Sequence, residues 1–170
     1  LCEPMARLGA TVTGVDAAAR NIDIARTHAE GMGLQIDYRC AAAEDLVQEG
    51  LAYDIVLNME VVEHVADVDL FLGTAANLIR PDGLMVVATM NRTAKAYALA
   101  IIGAEHIMRW LPVGTHDWRK FIKPSEMARY LRIAGMRIEA MTGLVYNPFT
   151  SGWSLNERDL SVNYMATATR

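Results

Sequence analysis

The fold is decided by the stretch Asp54-Ile55-Val56-Leu57-Asn58-Met59-Glu60-Val61-Val62-Glu63-His64-Val65. Its apolar first half predicts a strand over residues 54–58. Its second half brings Glu60, Glu63 and His64 within five residues. If a helix begins at Glu60, these three lie at i, i+3 and i+4 on one face, at the carboxyl end of a strand, where open α/β sheets place their chemistry. The spacing indicates three metal ligands, but acidic residues in a first helical turn also simply stabilise the helix dipole.

Strands and helices alternate on both sides of this stretch, as is typical of a mainly parallel α/β sheet. Residues 3–9 resemble the end of a helix, which suggests a truncated chain. Further predicted helices span about 19–32, 68–79, 95–110 and 124–134, and a loop or helical turn spans 43–46. Predicted strands span 11–15, 34–39, 84–89, 136–142 and 161–169, with a turn at 80–83 and a loop at 146–160.

Composition limits the class of protein. The 170 residues are 52% hydrophobic and 21% charged, which predicts one globular domain over residues 1–170. The net charge is −4, with both signs interspersed, so no nucleic-acid partner is expected. Cys2 and Cys40 show no metal-type spacing and suit a reducing, cytoplasmic setting. No apolar run reaches the length of a membrane span.

Asp16 ends the first strand and precedes a helix. A carboxylate in this place can accept hydrogen bonds from both ribose hydroxyls of a nucleoside. Nicotinamide-dependent dehydrogenases and S-adenosylmethionine-dependent methyltransferases both use that device. A helix N-cap is the alternative, and the sequence leaves both open.

Three further residues are candidates for cofactor contact. Glu44 and Asp45 follow the strand at 34–39, where an acidic residue can meet an adenine amino group; helix capping explains them equally well. Met59 follows the strand at 54–58 and can lie along an adenine or ribose face, or simply fill core volume.

Residues 93–120 interrupt the alternation. Their predicted apolar helix is flanked by Arg92, Lys95, Arg109 and Trp110, a pattern that suits a membrane interface, a lid over a hydrophobic substrate, or an ordinary buried helix. His116, in the loop that follows, is a candidate proton acceptor, with an exposed histidine as the alternative.

Six short motifs, in this order, give the chain a family resemblance. They are Glu60-Val61-Val62-Glu63-His64-Val65, Asn91-Arg92-Thr93, Gly103-Ala104-Glu105, Gly114-Thr115-His116-Asp117-Trp118, Tyr146-Asn147-Pro148 and the segment 159–165. Together they resemble the ubiquinone-biosynthesis O-methyltransferases, a branch of the class I S-adenosylmethionine-dependent methyltransferases. The resemblance covers essentially the whole chain.

The resemblance implies a seven-stranded Rossmann-like sheet with an antiparallel final hairpin. The implied reaction transfers a methyl group from S-adenosylmethionine to a phenolic hydroxyl of a polyprenylated quinone precursor, 3-demethylubiquinol or 2-polyprenyl-6-hydroxyphenol. Asp16 and Met59 then match cofactor-binding positions. Glu60, Glu63 and His64 match positions that bind a divalent cation, usually taken to be magnesium, and His64 or His116 becomes the possible proton acceptor.

The resemblance also implies a setting for the enzyme. Residues 93–120 match a lid and membrane-contact segment, which implies a peripheral location on the inner membrane, on the matrix side in a eukaryote. Other quinone-biosynthesis enzymes become possible partners. A nicotinamide-dependent dehydrogenase and a non-catalytic assembly subunit remain the alternative functions.

One departure from the family pattern concerns the methyl donor. The glycine-rich turn and the strand before it would precede Leu1 and are absent from this sequence. That strand normally lies between the strands at 11–15 and 54–58. We therefore expect these two strands to lack their shared neighbour, and this piece alone to bind the cofactor poorly and to have low stability.

Overall fold

The computed structural model describes residues 1–107, 112, 114, 117–147 and 152–170, with side chains for all of these except 104–107. The chain forms two compact units, Leu1–Leu51 and Ala52–Arg170. The first unit contains α1 (Cys2–Arg7), β1 (Thr13–Asp16), α2 (Ala19–Gly31), β2 (Asp37–Cys40) and α3 (Ala43–Gln48). The second contains β3 (Tyr53–Met59), α4 (Val68–Asn77), β4 (Ile79–Met90), α5 (Ala94–Ala96), a π-helix (Tyr97–Ile107), a 3₁₀ turn (Trp118–Lys120), α6 (Pro124–Ile133), β5 (Arg137–Asn147), β6 (Gly152–Asn156) and β7 (Asn163–Thr169).

The first unit is a βαβ arrangement. Strands β1 and β2 pair in parallel, from Thr13 with Asp37 to Asp16 with Cys40. Gly14 permits a close approach to β2, because a Cβ there would lie 2.6 Å from a ring carbon of Tyr38. Any larger residue at position 14 would therefore displace the tyrosine.

The second unit is a five-stranded sheet in the order β3-β4-β7-β5-β6. Strands β3 and β4 are parallel, whereas β7 is antiparallel to both β4 and β5, and β6 is antiparallel to β5. One buried cluster joins α4 and α6 to β4 and β7. Its fully buried members include Leu72, Val87, Leu131 and Tyr164. Buried residues alternate with half-buried ones along β7, as the two-residue period of a strand requires, whereas the last four residues of β4 are all buried.

The α/β class and the antiparallel closing strands are confirmed. Strands β1 and β3 belong to different sheets. The order of helices and strands through residue 79 also matches, with boundaries that differ by one to three residues.

Three local predictions are wrong. The predicted turn at 80–83 is a bulge inside β4: Tyr53 pairs with Ile79 and Ile55 with Leu84, so four residues of β4 lie opposite one residue of β3. The predicted loop at 146–160 contains the strand β6, whose Trp153-Ser154-Leu155 alternation is too short to stand out. The third concerns the chain after β3, where no helix begins at Glu60.

The turn after β3 differs because Glu60 adopts a φ of +55°, outside the right-handed helical region. The chain continues through a turn, in which the His64 N–H donates to the Val61 carbonyl at 2.9 Å. Helix α4 begins at Val68, as predicted, where Asp67 is the N-cap and accepts a hydrogen bond from the Leu70 N–H at 3.0 Å. The helical face predicted for Glu60, Glu63 and His64 therefore does not exist.

The inserted segment begins as a single turn, α5, and widens into the π-helix rather than continuing as the predicted α-helix. Leu99 and Ile102 on it are 52% and 43% exposed. Among the described residues, no helix combines the length and the apolar character needed to cross a membrane.

Candidate active site

Asp16 lies at the carboxyl end of β1 and is half-buried. Its Oδ1 accepts a hydrogen bond from the Ala18 N–H at 2.7 Å, and its Oδ2 accepts one from the Asn21 side-chain amide at 3.0 Å. The N-cap of α2 is Ala18, so Asp16 closes a tight turn before the helix instead of capping it. Because a carboxylate has about four lone-pair sites, each oxygen can still accept a further hydrogen bond from a ligand.

Asp16 borders a cleft of about 380 Å³ within the first unit. Its walls include Cys2 and Glu3 of α1, Gly14 of β1, Ile22 of α2 and Tyr38 of β2. Burial, and next the neighbouring Cys2, raise the pKa of the Tyr38 hydroxyl, so this hydroxyl is neutral at physiological pH. The cleft therefore combines apolar side chains with two carboxyl groups, those of Glu3 and Asp16.

Glu44 and Asp45 lie in the first turn of α3, after β2. Asp45 is used locally, because its Oδ2 accepts a hydrogen bond from the Ala42 N–H at 2.9 Å. Glu44 is half-buried, and its side chain makes no hydrogen bond or ion pair with the described residues. The Ala41 N–H donates to the Asp16 carbonyl, which places this turn at the same sheet edge as Asp16. Glu44 is thus the more available of the two acidic groups.

Met59 ends β3 and pairs with Ala88 of β4. It is half-buried at the carboxyl edge of the five-stranded sheet. The next residue, Glu60, donates its N–H to the Ala88 carbonyl at 2.9 Å, which fixes the backbone at the strand end.

Two carboxyl groups meet after β3. Glu63 is 3% exposed, and its Oε2 accepts a hydrogen bond from the Thr89 hydroxyl at 2.9 Å. Glu63 Oε1 is buried and receives no hydrogen bond from the described residues when both carboxyl groups are ionised. Although Glu60 is exposed as a residue, burial of its carboxyl end, together with the adjacent Glu63, raises its pKa to about 8. The pair therefore shares a proton at neutral pH, as two adjacent carboxyl groups do.

The two glutamates also affect the pKa of a nearby tyrosine, Tyr164. Burial raises the pKa of the Tyr164 hydroxyl, and so do the carboxylates of Glu126, Glu63 and Glu60. The hydroxyl donates to the Ile122 carbonyl at 2.9 Å. Among the described residues, neither Glu60 nor Glu63 has an ion-pair partner.

The predicted three-ligand site is not formed as such. His64 is exposed after the turn, and the described part of the chain contains no group of three histidine, cysteine or acidic side chains placed to hold a metal ion. The structure thus brings two of the three expected ligands together. His116, the other candidate proton acceptor, lies outside the described residues.

Hydrogen bonds and an ion pair hold the inserted segment, residues 93–120. They involve polar residues to which the sequence analysis gave no such role. Thr93 caps α5 and donates its hydroxyl to the Ser161 carbonyl at 2.6 Å, and the Trp118 indole N–H donates to the Thr93 carbonyl at 3.0 Å. Lys95 pairs with Asp159 at 3.2 Å. The first end of the segment is therefore tied to the chain just before β7, and Trp118 near its other end is tied to that first end. The sequence motifs at 91–93 and 159–165 contain residues of these contacts. Their order along the chain did not show that the two motifs contact each other.

Comparison with known proteins defines the class first. A methyltransferase-domain family model matches residues 1–87. The structure superimposes on magnesium protoporphyrin IX methyltransferase from Synechocystis with bound S-adenosylhomocysteine, with a TM-score of 0.68, 17% identity, and coverage of 100% of this chain and 68% of the other. A possible histamine N-methyltransferase from Thermotoga maritima gives a TM-score of 0.68 at 15% identity, over 97% of this chain and 75% of the other. The fold is that of S-adenosylmethionine-dependent methyltransferases.

Sequence relatives define the family. The chain is 56% identical over 170 residues to the ubiquinone biosynthesis O-methyltransferase of Chelativorans sp., covering all of this chain and 67% of that protein. It is 57% identical to the enzyme of the same name from Cereibacter sphaeroides, covering 69% of that protein. The chain belongs to the ubiquinone biosynthesis O-methyltransferase family.

Proposed function

We propose that this chain transfers a methyl group from S-adenosylmethionine to a phenolic hydroxyl of a polyprenylated quinone precursor, 3-demethylubiquinol or 2-polyprenyl-6-hydroxyphenol. The observation that carries the proposal is the identity of 52–57% over the whole chain to enzymes named for this step. The methyltransferase fold and the carboxylates at its strand ends support it.

Asp16 is proposed to bind the ribose of the methyl donor. Its half-buried carboxylate faces a cleft and keeps acceptor capacity beyond its two internal hydrogen bonds. Glu44 is the better placed acceptor for an adenine amino group, since Asp45 already holds the Ala42 N–H. Met59 is proposed to supply an apolar contact at the end of β3.

Glu60 and Glu63 are proposed to hold a divalent cation, with magnesium the expected ion. The chemistry of the donor set fits, because two adjacent carboxyl groups that share one proton, and have no basic partner among the described residues, form a hard oxygen site. A cation bound there supplies Lewis acidity, which lowers the pKa of a phenol from about 10 and orients its oxygen. Glu60 and Glu63 are the residues that would hold such a cation.

His64 and His116 are proposed as acceptors of the phenolic proton. Two observations support this role for His64: its side chain is exposed, and it directly follows Glu63 in the sequence. A neutral imidazole nitrogen can accept a proton during the transfer.

A metal-dependence assay tests this function. With a demethylubiquinol acceptor and radiolabelled S-adenosylmethionine, we expect methyl transfer that a chelator abolishes and Mg²⁺ restores. Glu63→Gln removes one charged ligand and should lower kcat/KM by at least about 100-fold, since a catalytic cation supplies several kcal/mol of stabilisation. Glu30→Gln, an exposed carboxylate on α2, is the control and should behave as the wild type. Full activity in the presence of chelator would reject the cation, and absence of methyl transfer by the folded protein at saturating S-adenosylmethionine would reject the function.

Residues 93–120 are proposed to contact the membrane and admit the polyprenyl substrate, which gives the protein a peripheral location. Exposed Leu99 and Ile102, together with the exposed cations Arg119 and Lys120, support this. Arg92 and Lys95 contribute less, because they form ion pairs with Glu126 and Asp159. Sedimentation with anionic vesicles should recover the wild type and less of Leu99→Asp; equal recovery of both would reject this surface.

A further inference from the structure

Thr89 is a rigid hydrogen-bond donor inside the molecule. It is the next-to-last residue of β4, pairs with Tyr164 of β7, and is 0% exposed. Its hydroxyl donates to Glu63 Oε2 at 2.9 Å across 26 residues of sequence. A β-branched side chain on a central strand has few rotamers, so the direction of this hydrogen bond is fixed.

The hydrogen bond makes the two oxygens of Glu63 different. Oε2 is held by Thr89, whereas the buried Oε1 receives no hydrogen bond from the described residues other than through the proton that Glu60 and Glu63 share. Burying a carboxylate without a positive partner is costly, and no lysine, arginine or histidine among the described residues pairs with Glu63. Oε1 is therefore the oxygen that can accept a cation in place of that proton.

We propose that Thr89 is a positioning residue that holds Glu63 by Oε2 and thereby presents Oε1 as the oxygen that binds the divalent cation. The inference rests on the cation role in the proposed function and adds the residue that orients the ligand. Outer-shell hydrogen bonds of this kind fix the direction of a ligating carboxylate and commonly change metal affinity by about 10- to 100-fold.

A different result is expected if the hydrogen bond between Thr89 and Glu63 only stabilises the fold. If Thr89 only satisfies a buried carboxylate, its loss lowers stability and leaves the cation affinity of the folded protein unchanged. The chain offers a matched reference in Thr142 on β5, whose buried hydroxyl has no hydrogen-bond partner among the described residues. Thr142→Val removes a comparable hydroxyl without removing a contact to Glu63.

The test measures cation binding without methyl donor or acceptor. Mn²⁺ is titrated into wild type, Thr89→Val, Thr89→Ser and Thr142→Val, with free Mn²⁺ followed by electron paramagnetic resonance and unfolding followed by circular dichroism. We expect Thr89→Val to bind Mn²⁺ about 10- to 100-fold more weakly. Thr89→Ser keeps the donor and should restore the affinity, and Thr142→Val should match the wild type.

Each outcome has a distinct meaning. Wild-type affinity in folded Thr89→Val overturns the inference and leaves the proposed function standing. Absence of Mn²⁺ binding by the wild type overturns the cation role and the inference with it. If Thr89→Val does not fold, Thr89→Ala removes the same hydroxyl without adding a methyl group, and unchanged affinity in that variant overturns the inference equally.

Discussion

Carboxylates at the ends of two strands differ in how the protein holds them. Asp16 accepts hydrogen bonds from an amide N–H and a side-chain amide, and lies beside a cleft. Glu63 is buried and is held by one hydroxyl. The first arrangement suits neutral hydroxyl donors such as those of ribose, whereas the second suits a cation, because a buried negative charge needs a positive partner.

Replacing Asp16 by asparagine tests the proposal that this single residue binds the ribose of the methyl donor. Asn keeps one oxygen to accept from the Ala18 N–H but loses the charge, so affinity for S-adenosylmethionine should fall by roughly 10- to 100-fold, the range of hydrogen bonds to charged groups. Calorimetric titration measures the loss. Asp37→Asn, at the opposite end of β2, is the control and should bind as the wild type does. Equal affinity of Asp16→Asn and wild type would remove Asp16 from the cofactor site.

At the scale of elements, the inserted segment is held by residues distant in sequence. Lys95 and the Ser161 N–H bind the same carboxylate, that of Asp159. The hydrogen bonds from Ser161, and next the one from Lys95, lower the pKa of Asp159 to about 2. This connection joins the first turn of the insertion to the chain before β7.

The shifted pKa predicts how the connection responds to acid. Because the folded pKa of Asp159 lies below its unfolded value of about 3.9, its stabilisation is complete above the unfolded value and is lost as the pH falls through 2. The difference in free energy of unfolding between wild type and Asp159→Asn should therefore shrink from pH 6 toward pH 3. Urea titrations at each pH measure it, and a difference independent of pH would contradict the ionised connection.

The helices and strands were predictable where their apolar residues recur at a regular spacing. The apolar run Ile55-Val56-Leu57 indicated the strand β3. The spacing of Ile22 and Ala29 indicated the helix α2, because side chains on one face recur with a different period in a helix than in a strand. The positive φ of Glu60 was not predictable, since glutamate rarely adopts it and the conformation is imposed by the strand end. The start of α4 at Val68 was predicted, and Asp67 before it is a residue type favoured at a helix N-cap.

At the scale of the whole molecule, the cluster under the five-stranded sheet supplies the main packing of the second unit. It joins residues from α4, α6, β4 and β7, so it forms only when these elements are assembled. Such burial contributes about 25 cal/mol for each Å² of apolar surface removed from water.

Two neighbouring residues of α6 test this packing. Leu131 is 0% exposed and Ile133 is 60% exposed. Leu131→Ala should lower the free energy of unfolding of the second unit by about 2–5 kcal/mol, because it removes buried methyl groups and leaves a cavity. Ile133→Ala should change it by less than about 0.5 kcal/mol. Urea unfolding measures both, and equal losses would contradict the position of α6 on the sheet.

The sequence by itself determined the α/β alternation, the acidic residues at the strand ends and the family motifs, because these depend on local periodicity and on the order of short segments. Tertiary structure alone decided that Glu60 leaves the helical region, that His64 is turned out to solvent, and that Thr89 meets Glu63. The physical reason is the register of β3 and β4, which brings residues 26 positions apart within hydrogen-bond distance and fixes which carboxylate oxygen is held.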